Sequence, residues 1–203
     1  MEGIYFYWLA WISWVWTTFM MDKNHPLRHS LSFFILSVIL LAPFEVEFLM
    51  GEYSLAAFGI ALFLFFSTQR KKTGSFLYLF LSSFIIMLAY TSFLMFELFD
   101  PIWVLFDRKI MLGALGFYLA VLLHKDRHNR LLSLISGFLL GDIMYSVILA
   151  KFHFPYPVAS LAFLDILFIS LAMLVLWSAV ETVISFMSKN TITHAEGEEQ
   201  KTS

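Results

Sequence analysis

Seven long apolar stretches, separated by short connectors that hold most of the charge, constrain this chain more than any other feature. A helix that crosses a bilayer needs about 20 predominantly apolar residues. The stretches that meet or approach this length are 3–21, 30–50, 53–68, 76–98, 103–123, 131–150 and 158–187. Hydrophobic residues make up 60% of the chain and charged residues 14%, whereas a soluble domain averages about 25% charged. We therefore expect an all-α, polytopic transmembrane helix bundle of about seven spans.

The basic residues predict the orientation of this bundle. With seven spans, one side of the membrane receives ten of the 13 lysines and arginines, namely Lys23, Arg28, Arg70, Lys71, Lys72, Lys125, Arg127, Arg130, Lys189 and Lys201. The opposite side receives only Arg108, Lys109 and Lys151. Because cytoplasmic loops carry the excess of lysine and arginine, we expect the N-terminus outside and the C-terminus in the cytoplasm.

The chain divides into a transmembrane domain, 1–187, and a polar tail, 188–203. The tail contains few apolar residues and several acidic ones, a composition that favours disorder. Within the domain, only Gly51 and Glu52 separate the second and third stretches. We therefore expect those two stretches to form a tight hairpin of helices.

Composition and motifs exclude several classes of function. The chain has no cysteine, so disulfides, thiolate metal sites and cysteine nucleophiles are excluded. Two histidine pairs at i,i+4 spacing, His25/His29 and His124/His128, lie in connectors with no carboxylate arranged beside them, and we expect them at the surface. Neither an HExxH motif nor a Ser-His-Asp pattern occurs. We predict no metal, no cofactor and no enzymatic activity, and the net charge of −2 gives no basis for a nucleic-acid partner.

Acidic residues inside the apolar stretches are the strongest functional signal. An ionisable group at the bilayer centre costs about 2.5–3.5 kcal/mol or more, so it usually faces the bundle interior. Asp142 should lie about 16 Å from the cytoplasmic end of its helix, and Asp165 about 10 Å from the outer end of the next one. Glu45 and Glu47 follow Pro43 in the outer third of the second stretch, where proline can kink a helix.

Two interpretations of these acids remain open. If Asp142 and Asp165 face each other, they could share a proton or bind a cation, in a site that also takes in Glu45, Glu47 and Tyr145. Alternatively, each aspartate hydrogen-bonds a neighbour, such as Tyr145 or a serine, and only pins the bundle. The basic residues near that depth are expected at the membrane rim, from which a long side chain could still reach inward.

Small residues predict where helices approach closely. Ser133, Gly137 and Gly141 recur at four-residue steps, which forms a small-xxx-small ridge typical of packed membrane helices. A second set, Gly113, Gly116 and Ala120, lies on one face of the preceding helix. The ridge predicts either packing inside one bundle or the seam of a homodimer.

The N-terminal stretch carries a family resemblance. Its opening, Met1-Glu2-Gly3-Ile4-Tyr5-Phe6-Tyr7-Trp8, followed by Trp11 and Trp14-Val15-Trp16, resembles the small YphA-type membrane proteins of Bacillus-like bacteria. Chain length and helix number are also similar. The resemblance implies a bacterial cytoplasmic membrane and transfers no functional residues.

Three classes of function compete, and the sequence favours a non-enzymatic membrane component. The alternative is a small proton- or cation-coupled transporter or channel that uses buried Asp142 and Asp165. An intramembrane enzyme is least favoured. The partners expected are the lipid bilayer and either further copies of the chain or other membrane proteins.

Overall fold

A computed structural model describes residues 2–22, 28–48, 51–68, 73–100, 102, 104 and 106–199, although the side chains of 47–48, 51–52, 73 and 189–199 lie outside the described part. Within these ranges the chain forms seven α-helices and one two-stranded sheet. In chain order they are α1 Ile4–Val15, α2 Arg28–Leu41, β1 Glu45–Phe48, β2 Gly51–Ser54, α3 Leu55–Thr68, α4 Thr73–Phe99, α5 Arg108–Leu123, α6 Arg127–Lys151 and α7 Leu161–Glu199. A π-helical turn, Trp16–Met20, extends α1.

Among the described residues, three helical segments are long and apolar enough to cross a membrane. They are Gly74–Phe99, Arg127–Lys151 and Leu161–Ser188. Helices α2 and α3 are apolar but have 14 residues each, which gives them a length of about 21 Å. The hydrocarbon core is about 30 Å thick. The predicted helical architecture is confirmed, while the number of crossings stays a prediction.

The second apolar stretch does not form the helix predicted for 30–50. Helix α2 ends at Leu41, because Pro43 restricts the residue before it to an extended backbone and cannot continue the helix. The chain then alternates acidic and apolar residues, Glu45, Val46, Glu47 and Phe48, which is the period of a strand. Strands β1 and β2 pair antiparallel. The expected hairpin of two helices is therefore wrong, since a β-hairpin joins α2 to α3.

Helix boundaries elsewhere follow local capping groups. Helix α5 begins at Arg108 and not at 103, since the Asp107 carboxylate accepts from the Lys109 backbone N–H at 2.8 Å. Helix α7 begins at Leu161 and runs to Glu199, so its last residues fall in the segment for which the sequence predicts a disordered tail. The domain boundary at 187 stays a prediction.

Tertiary contacts define two ends of the bundle. At the first, which we call the hairpin end, the Ser54 N–H of β2 donates to the Val158 carbonyl of the α6–α7 connector at 2.9 Å. The starts of α1, α5 and α7 meet at the same end. At the opposite end, which we call the arginine end, Arg130 of α6 donates to Glu181 of α7 at 2.7 Å. Successive helices therefore run in alternating directions between the two ends.

Helix α6 lies at the centre of the bundle, and its small residues face α4. A methyl group added at Gly137 would lie 2.6 Å from the Cβ of Ile86, and one added at Gly141 would lie 2.8 Å from the Tyr90 ring. Ser133 is fully buried. In this structure the predicted ridge is covered by the chain's own α4, and no neighbouring copy is needed to fill it.

Candidate functional site

Asp142 of α6 is completely buried and accepts three hydrogen bonds. Its Oδ1 accepts from the hydroxyls of Tyr90 at 3.1 Å and Tyr156 at 2.8 Å. Its Oδ2 accepts from the backbone N–H of Ala159 at 2.7 Å. Because the donors come from α4 and from the α6–α7 connector, the carboxyl group links three separate parts of the fold.

The connector between α6 and α7 is folded back so that two of these donors point at Asp142. Ser146 of α6 donates to the Tyr156 carbonyl at 3.2 Å, and the Tyr145 ring packs edge-on against the Tyr156 ring with centroids 4.9 Å apart. Ala159 has a left-handed φ of 55°, which an alanine adopts only at a cost of about 1–2 kcal/mol. This conformation turns the Ala159 N–H toward Asp142.

The hydroxyl of Tyr156 is held in its protonated form. Burial raises the pKa of the phenol, and the neighbouring Asp142 carboxylate raises it further. A protonated phenol is a donor. Tyr156 therefore keeps its hydrogen bond to Asp142 through the physiological range of pH.

Asp165, the fifth residue of α7, is also completely buried. Its two oxygens accept from the backbone N–H groups of Gly3 and Phe6, each at 2.8 Å. These two residues are the N-cap and the third residue of α1, and Gly3 has no side chain that could cap the helix. Since the first N–H groups of a helix need acceptors, Asp165 supplies from α7 the cap that α1 lacks.

Lys109 neutralises Asp165. Its Nζ lies 2.6 Å from Asp165 Oδ2, and the lysine side chain is 17% exposed. The Tyr5 ring lies under the same ammonium, with its centroid 5.7 Å away, within the range of a cation–π contact. The ion pair thus joins the starts of α1, α5 and α7.

Both aspartates accept hydrogen bonds from other parts of the fold, and among the described residues they have no partner in common. Asp165 accepts two N–H groups at the start of α1. Asp142 accepts the N–H of Ala159 in the connector before α7, whereas the Phe163 N–H of α7 donates to the Ser160 hydroxyl at 3.5 Å. Tyr145 packs edge-on against the ring of Tyr156. Glu45 lies exposed on β1 and not inside a membrane helix, and the side chain of Glu47 lies outside the described part. Among the described side chains, no contact joins Asp142, Asp165 and Glu45 in one site.

Sequence reasoning missed most of the donors. A single sequence does not indicate which groups donate hydrogen bonds to the aspartates. Tyrosines and glycines are common in membrane helices, so nothing distinguishes Tyr90, Tyr156 or the N–H groups of Gly3 and Phe6. Lys109 was expected at the rim, and the length of its side chain was the one available signal that it could reach Asp165.

A further polar cluster, partly exposed, lies at the arginine end. Glu181 accepts from Arg130 at 2.7 Å and from the Trp177 indole N–H at 2.8 Å. Nearby, His124 is only 5% exposed, and its Nε2 lies 2.6 Å from the Ser82 hydroxyl. The expectation that His124 lies at the surface is wrong, because the end of α5 packs against α4. Among the described residues, no three histidine or acidic side chains are grouped as a metal site requires.

Comparison with known proteins gives one family and one named relative. The sequence matches the family of YphA-like integral membrane proteins over residues 2–201. It is 26% identical over 152 residues, 74% of each chain, to an uncharacterized protein, YphA, from Bacillus subtilis (strain 168). No solved structure matches.

Proposed function

Because the chain belongs to the family of YphA-like integral membrane proteins, we propose that it is a non-enzymatic, multi-pass component of the bacterial cytoplasmic membrane. The observation that carries this proposal is the surroundings of the two buried aspartates. Each is surrounded by hydrogen-bond donors from other elements of the fold. Such an arrangement stabilises a fold and does not require a substrate.

The donors around Asp142 and Asp165 differ from what a transported cation needs. A hard cation such as Ca²⁺ or Mg²⁺ is held by about six or more oxygen acceptors, among them carboxylates and carbonyls. Asp142 is met instead by two hydroxyl groups and a backbone N–H. Asp165 is met by two backbone N–H groups and an ammonium. All of these groups donate to the carboxylates, and the Lys109 ammonium would also repel a cation at Asp165.

We also propose that the hairpin end faces the outside of the cell. The arginine end includes Arg28, Arg127 and Arg130. The basic residues of the hairpin end are Arg108, Lys109 and Lys151, and two of them form ion pairs within the bundle, Arg108 with Glu97 and Lys109 with Asp165. The positive-inside rule then assigns the arginine end to the cytoplasm. This orientation requires all seven helices to cross, with α2 and α3 as short crossings.

This architecture is best suited to stable packing against other membrane proteins. The bundle's exposed surface is apolar over most of its helices. Lipid covers such a surface by default, and a second copy or another membrane protein could replace part of that lipid.

A flux measurement separates this proposal from proton- or cation-coupled transport. The full chain is reconstituted in liposomes loaded with a pH-sensitive dye, and proton, sodium, potassium and calcium gradients are imposed in turn. We expect no flux above that of empty liposomes. Flux in the native chain that Asp142→Asn reduces, with insertion unchanged, would replace the structural role with a transport role.

A further inference from the structure

A groove between α4 and α5 has the apolar lining that a lipid acyl chain needs. Its volume is about 540 Å³, and it is lined by Ser92 and Phe96 of α4 and by Met111, Leu115 and Tyr118 of α5, among others. From Met111 to Tyr118 the groove follows α5 for about 10 Å. It is therefore an open apolar groove on the surface of the bundle.

An ion pair stands at the end of this groove. Residues 108, 111, 115 and 118 share one face of α5, because they are three or four positions apart. Arg108 therefore lies just beyond Met111, toward the hairpin end. Its Nη1 is 3.6 Å from Glu97 Oε1, and the two side chains are 39% and 23% exposed. This distance exceeds that of a hydrogen bond, so both groups keep hydrogen-bonding capacity for a third partner.

We propose that the groove binds one acyl chain of a phospholipid whose headgroup carries both a phosphate and a primary ammonium. Arg108 pairs with the phosphate, because guanidinium matches the geometry of phosphate oxygens. Glu97 accepts from the ammonium. A pair of opposite charges at the mouth thus complements a zwitterionic amine headgroup better than an anionic one.

A neighbouring groove offers an internal control. It lies between α4 and α6, has a volume of about 350 Å³, and shares Ser92 and Phe96 with the first groove. Its other lining residues include Met144 of α6, and none of its lining side chains is charged. The lining of the α4–α5 groove is likewise uncharged. The ion pair of Arg108 and Glu97, however, joins α5 to α4, so we expect it to select a headgroup at the α4–α5 groove and not at the control groove.

Native mass spectrometry of the purified full chain tests this assignment. The protein is titrated with phosphatidylethanolamine, phosphatidylglycerol and phosphatidylcholine of identical acyl chains. We expect phosphatidylethanolamine to be retained most. Arg108→Gln should weaken its binding about tenfold, the effect of losing one charge-assisted hydrogen bond. Glu97→Gln should remove the preference over phosphatidylglycerol.

Variants that fill each groove complete the test. Leu115→Trp occupies the α4–α5 groove and should abolish the selective binding, whereas Met144→Trp occupies the control groove and should leave it unchanged. Equal retention of the three lipids by the native chain, or equal effects of the two tryptophan variants, would overturn the proposal. The proposal would also be overturned if the native chain were a dimer that Leu115→Trp dissociates, because a second copy would then occupy the groove.

Discussion

The ion pair between Lys109 and Asp165 gives the sharpest test of how the hairpin end is held together. The Nζ–Oδ2 distance is 2.6 Å, and the carboxylate is fully buried. Asp165→Asn should lower the free energy of unfolding by about 3 kcal/mol, since it leaves the partly buried Lys109 ammonium without its counter-charge. Lys109→Met should cost less, about 1.5–3 kcal/mol, because Asp165 keeps its two backbone donors.

The double variant separates the ion pair from the other contacts of each residue. If the pair stabilises the fold, Asp165→Asn with Lys109→Met should cost at least about 1 kcal/mol less than the sum of the single variants. The free energy of unfolding is measured by titrating the protein with SDS in mixed micelles and following the circular dichroism of its helices.

A matched control exists at the same end of the bundle. Arg108 and Glu97 also form an ion pair, but their distance is 3.6 Å and both side chains are more exposed. The coupling of Arg108→Gln with Glu97→Gln should therefore be about 0.2–1 kcal/mol. Additive costs for Lys109 and Asp165, or a larger coupling in the control pair, would refute the assignment of Asp165 as a charge-paired helix cap.

Further predictions concern packing and orientation. Gly137→Ala should destabilise the chain by about 1–3 kcal/mol, because the new methyl group would lie 2.6 Å from Ile86. At Gly59 no atom lies within 4 Å of an added methyl group, so Gly59→Ala should stabilise the chain by about 0.5–1 kcal/mol. The same SDS titration checks both variants, and equal effects would exclude close packing at Gly137. Because the native chain has no cysteine, Glu45→Cys should react with a membrane-impermeant maleimide on intact cells and Lys125→Cys only after permeabilisation. The opposite labelling pattern would reverse the proposed orientation.

The helical content was predictable because spanning helices have a strong compositional signal. The apolar stretches that became α4, α6 and α7 are long, and their interiors carry few charges, so the bilayer permits almost no other secondary structure for them. The family resemblance based on the aromatic N-terminal helix is confirmed by the family match over residues 2–201.

The break after Leu41 was harder to predict. Pro43 was recognised but interpreted as a kink, since an apolar stretch can continue on either side of a proline. The alternation of Glu45, Val46, Glu47 and Phe48 was the competing signal, and its period of two residues prevailed. In a short apolar segment, composition alone does not distinguish a helix from a strand.

The partners of the aspartates could not be predicted because they depend on tertiary structure. A helical period gives the face on which Asp142 lies but not which helix covers that face. Ala159, which donates to Asp142, is placed by a left-handed turn in the connector, and alanine gives no sequence signal for such a turn. Gly3 and Phe6 lie 162 and 159 residues before Asp165 in the sequence, so no local pattern predicts these hydrogen bonds.

The central claim is that Asp142 and Asp165 stabilise two separate parts of the fold, the α6–α7 connector and the start of α1, and are not one shared site. The most direct measurement is the coupling free energy between Asp142→Asn and Asp165→Asn, obtained from the free energies of unfolding of the two single variants and the double variant. We expect the two costs to add within about 0.5 kcal/mol, as they do for residues with no common partner. A coupling above about 1 kcal/mol would contradict the claim and would indicate a proton or cation held between the two carboxyl groups.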